Sequence, residues 1–248
     1  MKFKIVVFLV LYVGLSACKN KQEEGKVHLY LIGDSTMANK SEKRYPETGW
    51  GMVFQEFFNK QVIVDNYALN GRSSKSFIGE GHWSKVLNRL QPGDYVFIQF
   101  GHNDEKDYRP DLYTFPFTTY RANLEKYVHD TRGKGAYPIL LSSVVRRHFN
   151  DKGTLIDSHG LYPLVTRMVA EAMNLPFIDL QFLTERKLIE MGPEKSKKLY
   201  MCLESGEYPN FPEGLQDNTH FNNFGAHEVA KLITEDLNQK EILTNYIK

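Results

Sequence analysis

The sequence predicts an α/β fold in which a parallel β-sheet is covered by helices, and three observations support that prediction. Five short apolar runs lack the polar-apolar alternation of half-exposed strands. Stretches with apolar residues at helical spacing lie between them, and the two kinds of segment alternate along the chain.

The expected strands are VHLYLI (27–32), QVIVDNYA (61–68), DYVFIQF (94–100), YPILLSS (137–143) and PFIDL (176–180), all rich in Val, Ile, Leu and Phe. After the first strand, Trp50, Val53, Phe54, Phe57 and Phe58 fall on one helical face. Tyr120, Leu124 and Val128 repeat the pattern, and GKG (133–135) stops that helix. Leu161, Leu164, Val165, Met168, Val169 and Ala172 form a third stripe, with Pro163 tolerated in its first turn. Val229, Leu232, Ile233 and Leu237 mark the closing helix. Two proline-bearing stretches, 104–118 and 191–214, do not fit the alternation and read as long loops, which in compact domains are usually functional.

At 248 residues, 42% hydrophobic and 25% charged, the chain has the composition of a globular protein. It begins MKFKIVVFLVLYVGLSAC: a basic start, an apolar stretch from Ile5 to Leu15, and small residues before Cys18. That is the layout of a secretory signal, and the apolar stretch falls short of the roughly 20 residues a membrane span needs. Its end, LSAC, resembles the lipobox of bacterial lipoproteins, with Cys18 as the lipidated residue. The expected organisation is a lipoprotein signal peptide (1–17), a polar tether (18–26) and a single domain (27–248), in the bacterial cell envelope, lipid-anchored or secreted. Lipidation of Cys18 would leave Cys202 without a cysteine partner. Without Lys2 and Lys4 of the leader the formal charge falls from +1 to -1, which provides no electrostatic basis for nucleic-acid binding.

In an open parallel sheet, ligands bind at the carboxyl ends of the strands. Ser35, in GDST just past the first strand, can present its hydroxyl there, although a serine at such a place also serves as a helix cap. Asp217 and His220, in DNTH before the last helix, are spaced so that a turn could set the carboxylate against Nδ1 and leave Nε2 free as a base. An N-cap role for Asp217, or a metal site with His227, remains open on spacing alone. Gly71, in NGRS after the second strand, can bring a backbone N–H close to a ligand. Asn103, in GHND after the third, can offer an amide donor. With the Ser35 amide these would make three oxyanion donors.

These four blocks, taken in order, resemble those of the SGNH or GDSL hydrolases, and the match spans essentially residues 27–237. GDSTM, GWG (49–51), GHND and THFNNFGA are similar to the rhamnogalacturonan acetylesterase branch. The resemblance implies a flavodoxin-like three-layer sandwich with a five-stranded sheet in the order 2-1-3-4-5. It also implies removal of O-acetyl groups from pectic, rhamnogalacturonan-type polysaccharide through an acetyl-enzyme, with acetylated plant cell-wall polysaccharide or oligosaccharide as partner and without a metal or other cofactor. Ser35 would be the nucleophile, His220 the base and Asp217 its orienter, with Ser35, Gly71 and Asn103 forming the oxyanion hole. Esterases for xylan, peptidoglycan or other acyl esters, and a catalytically silent glycan-binding lipoprotein, are the competing readings.

Further candidates follow from residue type. Trp83 is a candidate sugar platform, and Trp50 fits the core by its spacing. His102 would buttress Asn103 or contact substrate, while His28 and His227 read as structural. Arg72, Arg109, Arg146 and Arg147 are candidates for uronate carboxylates.

Overall fold

The computed structural model describes residues 25–248. The signal peptide, Cys18 and most of the tether lie outside the described residues. Five parallel strands, β1 (Val27–Gly33), β2 (Val62–Asn66), β3 (Tyr95–Gln99), β4 (Tyr137–Leu141) and β5 (Phe177–Ile178), pair in the order β2-β1-β3-β4-β5. This is the order expected: β3 is the central strand, and β1 lies between β2 and β3.

Successive strand residues feed two separate cores. Leu29, Leu31, Phe97, Ile139 and Leu141 pack on one face of the sheet, against α1 (Trp50–Val53), α6 (Leu180–Lys195) and α7 (Asn223–Gln239). Tyr30, Ile32, Val96, Ile98 and Leu140 pack on the other. There they meet Phe77 of α2 (Ser74–Gly79), Trp83 and Val86 of α3 (His82–Leu87), Leu124 and Val128 of α4 (Arg121–Gly133), and Val165 and Val169 of α5 (Tyr162–Ala172). Burying each large apolar side chain contributes about 1.5–3 kcal/mol, which explains why strands covered on both faces carry unbroken apolar runs.

The helical stripes need two corrections. GWGMVF forms only one α-helical turn, continued by a 3-10 turn over Phe54–Phe57. Its glycines are required by close approach: a Cβ at Gly49 would lie 2.2 Å from the Ala38 carbonyl oxygen, and one at Gly51 would lie 2.6 Å from that of Met37. The segment thus presses directly on the backbone that follows β1. In α5 the buried face is Tyr162, Val165, Thr166, Val169 and Ala170, while Leu161 and Leu164 are each 47% exposed. The Tyr162 hydroxyl donates to the Thr114 and Asp104 carbonyls, and Tyr120 Oη and Thr166 Oγ1 lie 2.9 Å apart. Polar anchors therefore turn the helix away from its expected stripe.

Residues 191–214 are not simply a loop. They hold the end of α6, broken at Gly192 (φ 72°), then a 3-10 turn and β6 (Tyr200–Leu203). β6 pairs antiparallel with β7 (Leu215–Phe221) to make a second small sheet in place of the expected loop. The stretch 104–118 is looped until Pro116, where a π-helical turn leads into α4.

Candidate active site

Ser35 sits in the turn that follows β1. The Asp34 carbonyl accepts the amides of Met37 and Ala38, and the Asp34 carboxylate accepts the Thr36 amide (2.9 Å) and hydroxyl (2.8 Å). Behind the turn, Trp50 Nε1 donates to Gln99 Oε1 and Gln99 Nε2 donates to Thr36 Oγ1, both at 2.8 Å. Trp50 is fully buried, so it braces the serine turn from within the core.

Asp217 and His220 lie on strand β7, just before the last helix, and the turn expected there is a bulge in that strand. The β6–β7 register jumps from Tyr200↔Phe221 to Met201↔Asp217, so Asn218, Thr219 and His220 bulge out of the ladder. Asp217 Oδ1 holds the bulge by accepting the amides of Thr219 (2.8 Å) and His220 (3.1 Å). Arg147 holds it from behind, its amide donating to the Asn218 carbonyl and its guanidinium to Asn218 Oδ1. The helix cap considered for Asp217 belongs to Asn222, whose side chain accepts the Gly225 amide. His220 Nδ1 then faces Asp217 Oδ2 at 2.7 Å and Nε2 faces Ser35 Oγ at 2.8 Å. Burial works to raise the Asp217 carboxyl, but the His220 ring and the two amides outweigh it and hold it at about 2. An ionised Asp217 keeps the proton of a neutral ring on Nδ1, so Nε2 is the lone-pair nitrogen that accepts from Ser35 Oγ.

The segments that carry the three expected oxyanion donors are tied together by hydrogen bonds of neighbouring residues. The Leu69 amide donates to the Gly33 carbonyl, bringing the loop after β2 alongside the serine turn. Gly71 adopts φ 72°, a left-handed conformation that side chains rarely take. Asn103 Nδ2 donates one hydrogen to the Arg72 carbonyl at 3.0 Å, leaving its second for a ligand. Among the described residues, the Ser35 and Gly71 amides donate to no protein acceptor. A developing oxyanion requires free donors, and each is worth about 2.7–4 kcal/mol in such sites.

Two parts of this frame carried no local sequence signal. Lys40, its side chain 2% exposed, donates to the Ser35 carbonyl (2.6 Å) and to Asn70 Oδ1 (2.7 Å), and pairs with Glu47 at 2.8 Å. All three of its N–H bonds are taken up, joining the serine turn to the Gly71 loop. Burial pushes the lysine below its usual range, opposed by Glu47. Asp104 accepts from the Ser74 amide and hydroxyl and from Thr114 Oγ1, fastening the Asn103 loop to α2. Burial pushes its carboxyl up to about 7.

His102 is 3% exposed and takes no part in a surface contact. Its Nδ1 approaches Asp34 Oδ2 at 3.2 Å, meeting the distance but not the alignment of a hydrogen bond. Burial lowers its pKa to about 4 despite the carboxylate, with His159 and Arg146 adding to the shift. Asp34 is held at about 2 because the His102 contact and the Thr36 donors outweigh burial. His102 is therefore a neutral ring against an ionised carboxylate, beneath the serine turn. A depressed histidine stabilises the fold above its free pKa of about 6.5 and loses that contribution as pH falls through about 4. On this basis the unfolding free energy contains an acid limb between those values. Urea unfolding across pH 4–7 should show a shallower limb in His102→Gln; parallel limbs would contradict the assignment. Asp104 slopes the other way, losing stability up to about pH 7, so the difference between the two proteins is the quantity to read.

Trp83 is no sugar platform: it is 2% exposed, donates to Asp130 and meets Tyr127 edge-on. Its stripe position on α3 turns it into the core. Arg147 is likewise buried on Asn218, Ser196 and Pro193. Arg72 pairs with Glu80 and Arg109 with Asp111, both on the surface. Arg146 pairs with Glu105 and reaches the His102 carbonyl. His28 faces Asp65, and His227 bonds the Asn223 carbonyl and Glu56 rather than joining Asp217 and His220. No group of three or more potential metal-ligating side chains is found among the described residues. Cys202 is a free thiol.

The model of the GDSL-like lipase/acylhydrolase family matches residues 31–227. The chain is 38% identical over 213 residues to rhamnogalacturonan acetylesterase RhgT of Bacillus subtilis, covering 86% of this chain and 90% of the relative. It is 34% identical to the probable rhamnogalacturonan acetylesterase YesY of the same organism, over 86% of this chain and 93% of that one. The crystal structure of protein YxiM from Bacillus subtilis superposes with a TM-score of 0.75 at 25% identity, covering 88% of this chain and 57% of the longer one.

Proposed function

The chain belongs to the GDSL-like lipase/acylhydrolase family, and on that premise we propose that it is a serine esterase removing O-acetyl groups from rhamnogalacturonan-type polysaccharide. The observation that carries the chemistry is the unbroken chain Ser35 Oγ, His220 and Asp217, at 2.8 and 2.7 Å. The preference for acetylated pectic substrate rests on the likeness to RhgT and YesY over most of their lengths.

As Ser35 Oγ attacks the acetyl carbon, His220 Nε2 takes its proton and Asp217 balances the imidazolium. The carbonyl electrons move onto an oxygen that accepts from the Ser35 and Gly71 amides and from Asn103 Nδ2. Collapse expels the sugar oxygen, which takes the proton from Nε2, and leaves acetyl-Ser35. Water repeats the sequence: Nε2 removes its proton, and acetate leaves as Ser35 is reprotonated.

Acetate release from acetylated rhamnogalacturonan and acetylated xylan, together with rates on p-nitrophenyl acetate and butyrate, tests the proposal. Faster acetate release from the pectic substrate, and preference for acetyl over butyryl, are expected. Butyrate favoured over acetate, or binding of pectin fragments with no turnover, would contradict it. The proposal extends to location: the leader exports the chain and lipid on Cys18 holds it in the bacterial envelope. Expressed with its leader, the protein should fractionate with membranes and Cys18→Ser should not; identical fractionation would refute the anchor.

A further inference from the structure

Two lysines touch the residues that carry the oxyanion donors, and they differ in one respect. Lys40 is enclosed and its three N–H bonds all have acceptors. Lys106 lies three residues past Asn103 in the loop after β3, is only partly buried, and has one protein acceptor, Asn103 Oδ1 at 2.8 Å. An ammonium has three N–H bonds, so two of those on Lys106 have no acceptor among the described residues. It also makes no ion pair there. The nearby Glu105 carboxylate is engaged by Arg146 and by His159; Asp34 is fully buried, its Oδ1 accepting from Thr36 and its Oδ2 lying against His102.

The position of this ammonium matters as much as its unused donors. It holds the oxygen end of the Asn103 amide, whose nitrogen end is the proposed oxyanion donor, so on that reading a group bound to it sits beside the acetylated sugar. Burial and the neighbouring Arg146 and Arg109 cations push its pKa down, against the pull of Asp34 and Glu105. An incoming anion would relieve that crowding of positive charge. A neutral polysaccharide offers no such anion, whereas a uronate-bearing one places a carboxylate on sugars along its backbone.

We propose that Lys106 is a specificity residue that binds a uronate carboxylate next to the acetylated sugar, so that the site selects anionic over neutral acetylated polysaccharide. This inference rests on the proposed action on rhamnogalacturonan-type substrate. It assigns the substrate's charge to one side chain at the rim of the oxyanion hole.

The test compares wild type, Lys106→Met and Lys106→Arg on acetylated rhamnogalacturonan, on the same polymer with its uronates methyl-esterified, and on p-nitrophenyl acetate. Losing a charge-assisted hydrogen bond should lower kcat/KM on the native polymer by about 10- to 100-fold in Lys106→Met, chiefly through KM. A smaller loss on p-nitrophenyl acetate is expected, because Asn103 also loses its Lys106 partner; the ratio of the two activities should therefore fall. Methyl esterification should cost wild type about as much as the mutation lowers the ratio of the two activities and cost Lys106→Met almost nothing, and Lys106→Arg should recover part of the ratio. Equal losses on polymer and p-nitrophenyl acetate, or a wild type indifferent to esterification, would overturn the assignment while leaving the acetylesterase reading intact. A wild type that releases acetate from xylan but none from rhamnogalacturonan would overturn both.

Discussion

Ser35→Ala is expected to lower kcat on acetylated rhamnogalacturonan and on p-nitrophenyl acetate by about five to six orders of magnitude, because nothing else at the site can form the acetyl-enzyme. What remains is the catalysis supplied by free oxyanion donors and by binding. The Ser35 amide, Gly71 and Asn103 are unaffected by deleting one hydroxyl. The turn itself depends on Asp34, Thr36 and Lys40, all of which bond the backbone or one another rather than Ser35 Oγ. The variant should therefore unfold at the same urea concentration as wild type. A residual rate within a hundredfold of wild type would remove Ser35 from the chemistry.

Asp217→Asn should cost about three to four orders of magnitude in kcat, more than loss of a negative charge alone would suggest. The reason lies in the β7 bulge. Asp217 Oδ1 accepts two backbone amides, from Thr219 and His220. An asparagine keeps those bonds only by placing its carbonyl oxygen there, which turns its NH2 toward His220 Nδ1. The ring must then carry its proton on Nε2, where it points at Ser35 and can no longer accept a proton. Folding should be preserved, since the two amide bonds that shape the bulge survive. Rates on p-nitrophenyl acetate check this, and a loss below tenfold would mean that Asp217 does not select the tautomer.

The parallel sheet was readable because strands buried on both faces must be continuously apolar, and the strand order came with the resemblance carried by Ser35, Gly71, Asn103 and His220. The same blocks contain the residues that meet at the site, since each follows a strand end or precedes the last helix within a few positions. What local pattern missed depends on contacts between distant segments. Lys40 and Lys106 look like solvated lysines in the chain; only the folding back of 36–51 and the loop after β3 sets them against Ser35, Asn70 and Asn103. Trp83 reads as a sugar platform because its loop neighbours are polar, yet α3 turns it inward onto Tyr127. The β6–β7 pair carries no strand signal in the sequence because β7, LQDNTHF, is polar for most of its length and is held by a bulge and by Arg147 rather than by apolar burial. In α5, hydroxyls of Tyr162 and Thr166 overrode the leucine stripe.

Rapid-quench treatment of the protein with p-nitrophenyl acetate at low pH, followed by mass mapping of its peptides, tests the central claim most directly. The account predicts an acetyl group on the peptide containing Ser35 that accumulates during turnover, decays on standing at neutral pH, and is absent from Ser35→Ala. Turnover with no acetylated peptide, or with the label on another residue, would contradict it.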